Sequence, residues 1–167
     1  MIITAADATG IRTKVLREAD TTGHPDSLDR YLIEGTESGG LVALVEHNLG
    51  PHVLAGPVHR HSREDEYSLV MEGLLGVFED GAEVVAGPGE LVFKPRGRWH
   101  TFWNAGEEPL RILELIAPAG IEQLFRRLAL PEGEYNPETL PALVSEYGCD
   151  VDFEATMPLI ERHRLTF

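Results

Sequence analysis

A small set of side chains defines the chemistry open to this sequence. His59 and His61 stand two residues apart in the stretch His59-Arg60-His61-Ser62-Arg63-Glu64-Asp65-Glu66. Side chains of an extended chain alternate between faces, so both imidazoles project to one side. Two imidazoles on one side are a ready pair of metal ligands. Three acids compete for a third ligand position. The polar run Ser62-Arg63-Glu64-Asp65 can turn the chain back. That would leave Glu64 and Asp65 in water and make Glu66 a cross-strand neighbour of His61. Position therefore favours Glu66. A further group, His100, lies in Trp99-His100-Thr101-Phe102-Trp103 and can join only if the strands close into a barrel. Three imidazoles and one carboxylate suit one borderline divalent ion: Fe, Mn, Ni, Co or Zn. An ion of higher coordination number held by such a set keeps a position for water or substrate, which separates a catalytic site from a closed structural one.

Positioning these groups calls for strands. Short apolar runs are expected as strands over 41–48, 53–61, 66–72, 74–79, 82–86, 91–94, 99–103 and 110–117. Turn chemistry separates them, as in Glu79-Asp80-Gly81, Gly87-Pro88-Gly89 and Asn104-Ala105-Gly106. This spacing indicates a sandwich or barrel and not βαβ units. The pattern changes after Pro118: Ile121, Leu124, Phe125 and Leu128 recur at helical spacing. A second helix is expected over 137–147, with Asn136 as N-cap, Pro137 as first residue and Gly148 as stop. Residues 149–167 carry no decisive pattern. The chain reads as a single domain over 1–167, with a barrel core over about 28–117 and a helical appendage over about 118–167 that packs on the barrel or on a partner chain.

Two linked motifs in this stretch resemble those of the cupins. The first is His59-x-His61, four residues, Glu66, six residues, Gly73; the glycine that leads this motif in cupins is replaced by Val53. The second runs Gly89, Pro95, Gly97, His100, Asn104 and matches throughout. The resemblance covers about residues 41–117. It implies an all-β fold, a double-stranded β-helix or jelly-roll barrel, here followed by short C-terminal α-helices like those of some small bacterial cupins. It also implies that His59, His61, Glu66 and His100 hold one divalent metal, which selects Glu66 over Glu64. The ligand set is similar to that of quercetin dioxygenase-like cupins. The expected activity is therefore a metal-dependent oxygenation of a small aromatic or enolisable molecule, with Glu66 as base if it can detach. Non-oxidative isomerases, decarboxylases or lyases use the same kind of Lewis acid, and other cupins only bind or sense small molecules. Small cupins commonly pair, so a homodimer is expected, with the N-terminal forty residues and the C-terminal helices as interface material.

Other residues fall beside the metal motifs. Phe102 and Asn104 share the strand phase of His100 and are candidates to line a substrate pocket, as is Phe93. Trp99 and Trp103 have the opposite phase. His47 shares a face with Leu41, Ala43 and Val45 and is a candidate pocket group or proton carrier. Tyr67 has the phase opposite to Glu66.

Composition closes off other classes. The 167 residues carry 28 acidic and only 14 basic side chains, a net charge of −14. That balance disfavours nucleic acid, whose binding rests on Lys and Arg, and equally an anionic membrane surface. Cys149 is the only cysteine, which excludes an intramolecular disulfide and fits a reducing cytoplasm. No positive charge nearby activates its thiol. The N-terminal stretch lacks the basic and apolar regions of a signal peptide, and a cytoplasmic location is expected.

Overall fold

The computed structural model describes residues 29–129 and 137–167. Its elements, in chain order, are β1 (Arg30–Ile33), α1 (Gly35–Ser38), β2 (Ala43–Leu49), β3 (Val58–His61), β4 (Asp65–Glu72), β5 (Leu75–Glu79) and β6 (Ala82–Ala86). There follow β7 (Leu91–Lys94), β8 (His100–Asn104), β9 (Leu110–Ala117), α2 (Glu122–Leu128), α3 (Leu140–Ser145), β10 (Cys149–Asp152) and α4 (Phe153–His163). The strands form two five-stranded sheets, ordered β1-β2-β9-β4-β7 and β10-β3-β8-β5-β6. Their inner faces meet in a sandwich.

Alternation decides what fills the sandwich. On β4, Glu66, Ser68 and Val70 turn inward; on β9, Leu110, Ile112, Glu114 and Ile116 do. Val70, Leu75, Val77, Ala86, Phe102, Leu110 and Ile112 form one apolar core. A second core joins Tyr31, Ala43, Val45 and Ile116 to Ile121 and Leu124 of the α2 region and Leu143 and Val144 of α3. The apolar faces of these C-terminal helices are thus spent on the chain's own barrel. Between the two cores lie the polar inward side chains Glu66, Ser68 and Glu114.

The strands expected from the sequence are present, with three differences. The segment 53–61 is a strand only from Val58; Val53 and Leu54 instead make single bridges to Thr166 and Trp103. Val53, at the position of the motif's missing glycine, therefore meets the C-terminal segment. Second, His61 and Glu66 are not cross-strand neighbours. β3 and β4 lie in different sheets, β4 pairing with β7 and β9, so Glu66 faces the histidines across the sandwich. Third, the tail contributes a strand: β10 pairs with β3, setting Cys149 opposite His61 and Val151 opposite His59. β1, α1 and α4 also lacked a sequence expectation. The helix expected over 137–147 is shorter, with Thr139 as its N-cap, because Pro141 stands in its first turn; Asn136 lies outside the described residues. α4 starts where the Asp152 carboxylate accepts a hydrogen bond from the Ala155 N–H at 2.8 Å.

All of β8 is buried because its outer face is covered as well. Trp103 has the outward phase its sequence position indicated, yet it packs under Leu54 and Leu165, with the His163 ring 4.7 Å away. Its indole lies on Gly76 of the neighbouring strand: a Cβ there would stand 2.2 Å from Trp103 Cε2. Gly76→Ala is therefore expected to destabilise the fold by about 1–3 kcal/mol through overpacking, read as a lower midpoint in urea at unchanged slope.

Candidate metal centre

β3 and β8 meet at one registered pair, His59 opposite His100. That pairing brings the two sequence motifs together. His61, one alternation further along β3, points to the same side. Ring centroids of the three imidazoles are 4.5, 4.9 and 5.2 Å apart. Glu66 closes the group from the opposite sheet. One ligand atom from each of His59, His61, Glu66 and His100 falls within 4.8 Å of every other. The structure thus brings together the four residues named from the sequence.

The second nitrogen of two of these rings is fixed by the backbone. His59 Nδ1 donates to the Pro57 carbonyl at 2.7 Å and His100 Nδ1 to the Arg98 carbonyl at 3.1 Å. Both rings therefore present Nε2 to the centre, the arrangement that fixes tautomer and orientation at metal sites. Neither nitrogen of the buried His61 has a hydrogen-bond partner. A buried imidazole without partners carries a desolvation cost that an ion would offset. Burial and the neighbouring imidazoles hold His59 far below its ordinary range, and burial lowers His61 to about 4. Burial alone would raise Glu66, but Lys94, His61 and His100 outweigh it and hold the carboxyl well below its usual range. Neutral rings at His59 and His61 and an ionised Glu66 are protonation states that metal ligands require, so the donor set fits a divalent ion.

Lys94 is the residue that sequence reasoning missed. It is buried, with Nζ 3.0 Å from Glu66 Oε2 and 2.8 Å from Glu114 Oε1, at ion-pair distance but off the angles of a hydrogen bond. The ammonium also lies 4.5 Å over the Phe102 ring. Ser68 Oγ donates to Glu114 Oε2 at 2.8 Å. Glu66 is thereby anchored from behind by a buried polar chain, Lys94–Glu114–Ser68. The available signal was Glu114, an acid at an inward position between Ile112 and Ile116.

The centre opens onto a cavity of about 510 Å³. Glu66 and His59 reach its surface, and its walls are largely apolar, with Leu49, Leu54, Phe102, Phe125 and Leu128 among them. Phe102 lines it as expected from its phase, and His47 does too, on the inward face of β2 with Ala43 and Val45. The other two pocket candidates do not. Phe93 has the outward phase of β7, is 51% exposed and stacks on Tyr67 outside the sheet. Asn104 is buried but occupied: its amide donates to the Leu49 and Glu108 carbonyls and accepts from Gly106 N–H, clamping a turn. Glu64 also departs from expectation. It is 2% exposed, packed beside Gly120, and burial pushes its carboxyl up; the C-terminal segment covers the turn that the sequence left in water. Asp65 stays at the rim, paired with Arg96 at 2.7 Å.

His47 Nδ1 lies 2.7 Å from Asp29 Oδ1, and the ring sits 5.7 Å from both Phe102 and Phe125. Burial lowers the imidazole, but the Asp29 carboxylate raises it more, so His47 keeps its proton above the ordinary 6.5. Stability from such a raised group is present in full below the unfolded value and is lost as pH rises through the folded one. The gap in Tm between wild type and Asp29→Asn should accordingly be widest below about pH 6.5 and narrow above it.

Comparison with known proteins agrees with the fold. The model of the Cupin_2 cupin domain matches residues 45–116, so this stretch of the chain is a cupin domain. Among solved structures, the polyketide cyclase RemF of Streptomyces resistomycificus is 26% identical, with a TM-score of 0.53 over 64% of this chain and 80% of that one. A predicted oxalate decarboxylase of Thermotoga maritima is 21% identical with a TM-score of 0.57, over 62% of this chain and 98% of that one. In sequence, the oxidoreductase iacF of Pestalotiopsis fici is 43% identical over 58 residues, 32% of this chain and 28% of that protein. The chain thus matches less than a third of that relative's length. Among the described residues, no helix is long and apolar enough to cross a membrane.

Proposed function

We propose that His59, His61, Glu66 and His100 hold one divalent ion (Fe, Mn, Ni, Co or Zn), and that the protein is a metal-dependent oxygenase of a small aromatic or enolisable molecule. The observation that carries this reading is the clustered donor set, two of whose members, His59 and Glu66, line a largely apolar cavity large enough for one small organic molecule. An ion held by these four residues would supply a Lewis acid for a phenol or enol oxygen. The apolar walls orient the substrate by its hydrocarbon part and exclude water. Glu66, whose second oxygen is tied to Lys94, keeps its charge and accepts a proton only if it leaves the ion. The partial likeness to the oxidoreductase iacF supports the oxidative reading.

The likeness to RemF, named a polyketide cyclase, favours a second reading: enolate chemistry without oxygen on a β-dicarbonyl of the same class. An oxygen electrode separates the two. Metal-loaded protein should consume O₂ with quercetin, acetylacetone or a small thiol. Turnover that continues under strict anaerobiosis supports the second reading, and no turnover of any of these substrates rejects both. In the same proposal we place a homodimer in the cytoplasm. Tyr67, Leu91, Phe93 and Leu115 form a partly exposed apolar patch on the outer face of β4, β7 and β9 that a second copy would cover. Light scattering at the mass of a single 18.4 kDa chain contradicts the dimer.

A further inference from the structure

The cavity holds a second polar device away from the metal ligands. His47 and Asp29 both line it, as do His59 and Glu66. Asp29 engages Nδ1 at 2.7 Å, so the nitrogen left for a bound molecule is Nε2. The edges of Phe102 and Phe125 hold the ring in place. A carboxylate that fixes one imidazole nitrogen while the other faces a cleft is the arrangement of a general acid–base group.

We propose that His47 is the proton-transfer residue of this cavity, with Asp29 as its positioning residue, acting on a phenol or enol oxygen of the substrate. The inference rests on the substrate class proposed above. In the forward direction His47 starts as the neutral ring with Nδ1–H donating to Asp29; the substrate O–H bond breaks and the proton goes to the free lone pair of Nε2. The electron pair stays on the substrate oxygen, and the imidazolium is held by Asp29. In the return direction Nε2–H gives the proton back to product oxygen or to water. No oxidant enters the step. The direction of the His47 shift, toward a retained proton, agrees with an imidazolium beside a carboxylate. The charged groups around it are Asp29 before β1, Glu114 on β9 and Lys94 on β7, with Glu66 on the cavity wall. Glu114 and Glu66 oppose an anionic ligand, so His47 is the cavity-lining side chain suited to stabilise one in the metal-free protein.

The test uses 4-nitrophenol, whose phenolate is coloured, bound to the full-length, chelator-treated chain. In wild type the bound probe should ionise about one pH unit or more below the free probe, because the imidazolium stabilises the phenolate. In His47→Gln the midpoint should rise to or above that of the free probe, since an apolar cavity disfavours the anion. Asp29→Asn should move it part of the way, and Asp29→Glu should restore it. A residue that only packs the wall would change affinity and leave the midpoint in place. Equal midpoints in wild type and His47→Gln overturn the proposal, as does failure of wild type to bind the probe. The readout needs neither metal nor turnover, so its failure leaves the oxygenase reading standing, and failure of O₂ uptake leaves this result standing.

Discussion

Lys94→Met is expected to cost the metal-free protein about 3–5 kcal/mol, the cost of leaving one partner of a buried ion pair alone. For a chain of this size that is a fall in Tm of roughly 6–20 °C. Methionine keeps the length of the side chain and its contact with Phe102, so the loss isolates the charge. Without the ammonium, Glu66 and Glu114 share a buried space with no cation between them, and one must take up a proton. The deficit should therefore be largest near neutral pH and shrink in acid, where a carboxyl raised by the substitution becomes neutral at less cost. Adding Glu114→Gln should recover part of the loss by removing one of the stranded charges. A saturating divalent ion should recover part of it as well, since it neutralises Glu66 from the other side. A Tm within ~2 °C of wild type would show that Lys94 balances nothing.

His61→Ala should act in the opposite way, with a smaller effect on the metal-free protein than Lys94→Met and a large one on metal. Neither nitrogen of His61 makes a hydrogen bond, so its removal breaks none. As a ligand, however, its loss should lower metal affinity at least ~100-fold, since even removing a hydrogen bond to a ligand costs about 10–100-fold. At a metal concentration about a thousand times the wild-type Kd, binding stabilises wild type by about 4 kcal/mol. The variant should keep about a third of that. Calorimetry with and without Zn²⁺ reads both numbers, and a wild-type gain in His61→Ala would remove this residue from the ligand set.

The first two metal ligands were legible from local spacing, and Glu66 and His100 from their places in the two linked motifs. His59 and His61 share a face by alternation alone, and the turn motifs around Gly73, Gly89 and Gly97, all at positive φ, fixed where strands end. How Glu66 reaches them was not legible, because sheet partners are chosen by contacts far apart in sequence. A reversal of chain direction looks the same whether the next strand pairs in the same sheet or crosses to the other. Glu64 was misplaced for a related reason: its exposure depends on a tail that begins more than fifty residues later. Lys94 sits one residue before Pro95 of the second motif and reads there as an ordinary strand-end lysine. Only the register of β7 against β4, which sets Lys94 opposite Glu66, reveals that it points inward. Asp29 joins His47 by a contact between the approach to β1 and its neighbour β2, a pairing that the sequence pattern did not announce.

One divalent ion is proposed to sit between the two sheets on His59, His61, Glu66 and His100. Crystals of metal-loaded protein, with anomalous difference maps measured on both sides of the absorption edge of the loaded metal, test it directly. One edge-dependent peak per chain is expected at about 2.0–2.2 Å from three imidazole nitrogens and the Glu66 carboxylate, facing the cavity. No peak at that point, or a peak held instead by Glu64 or by the exposed acids, would contradict it.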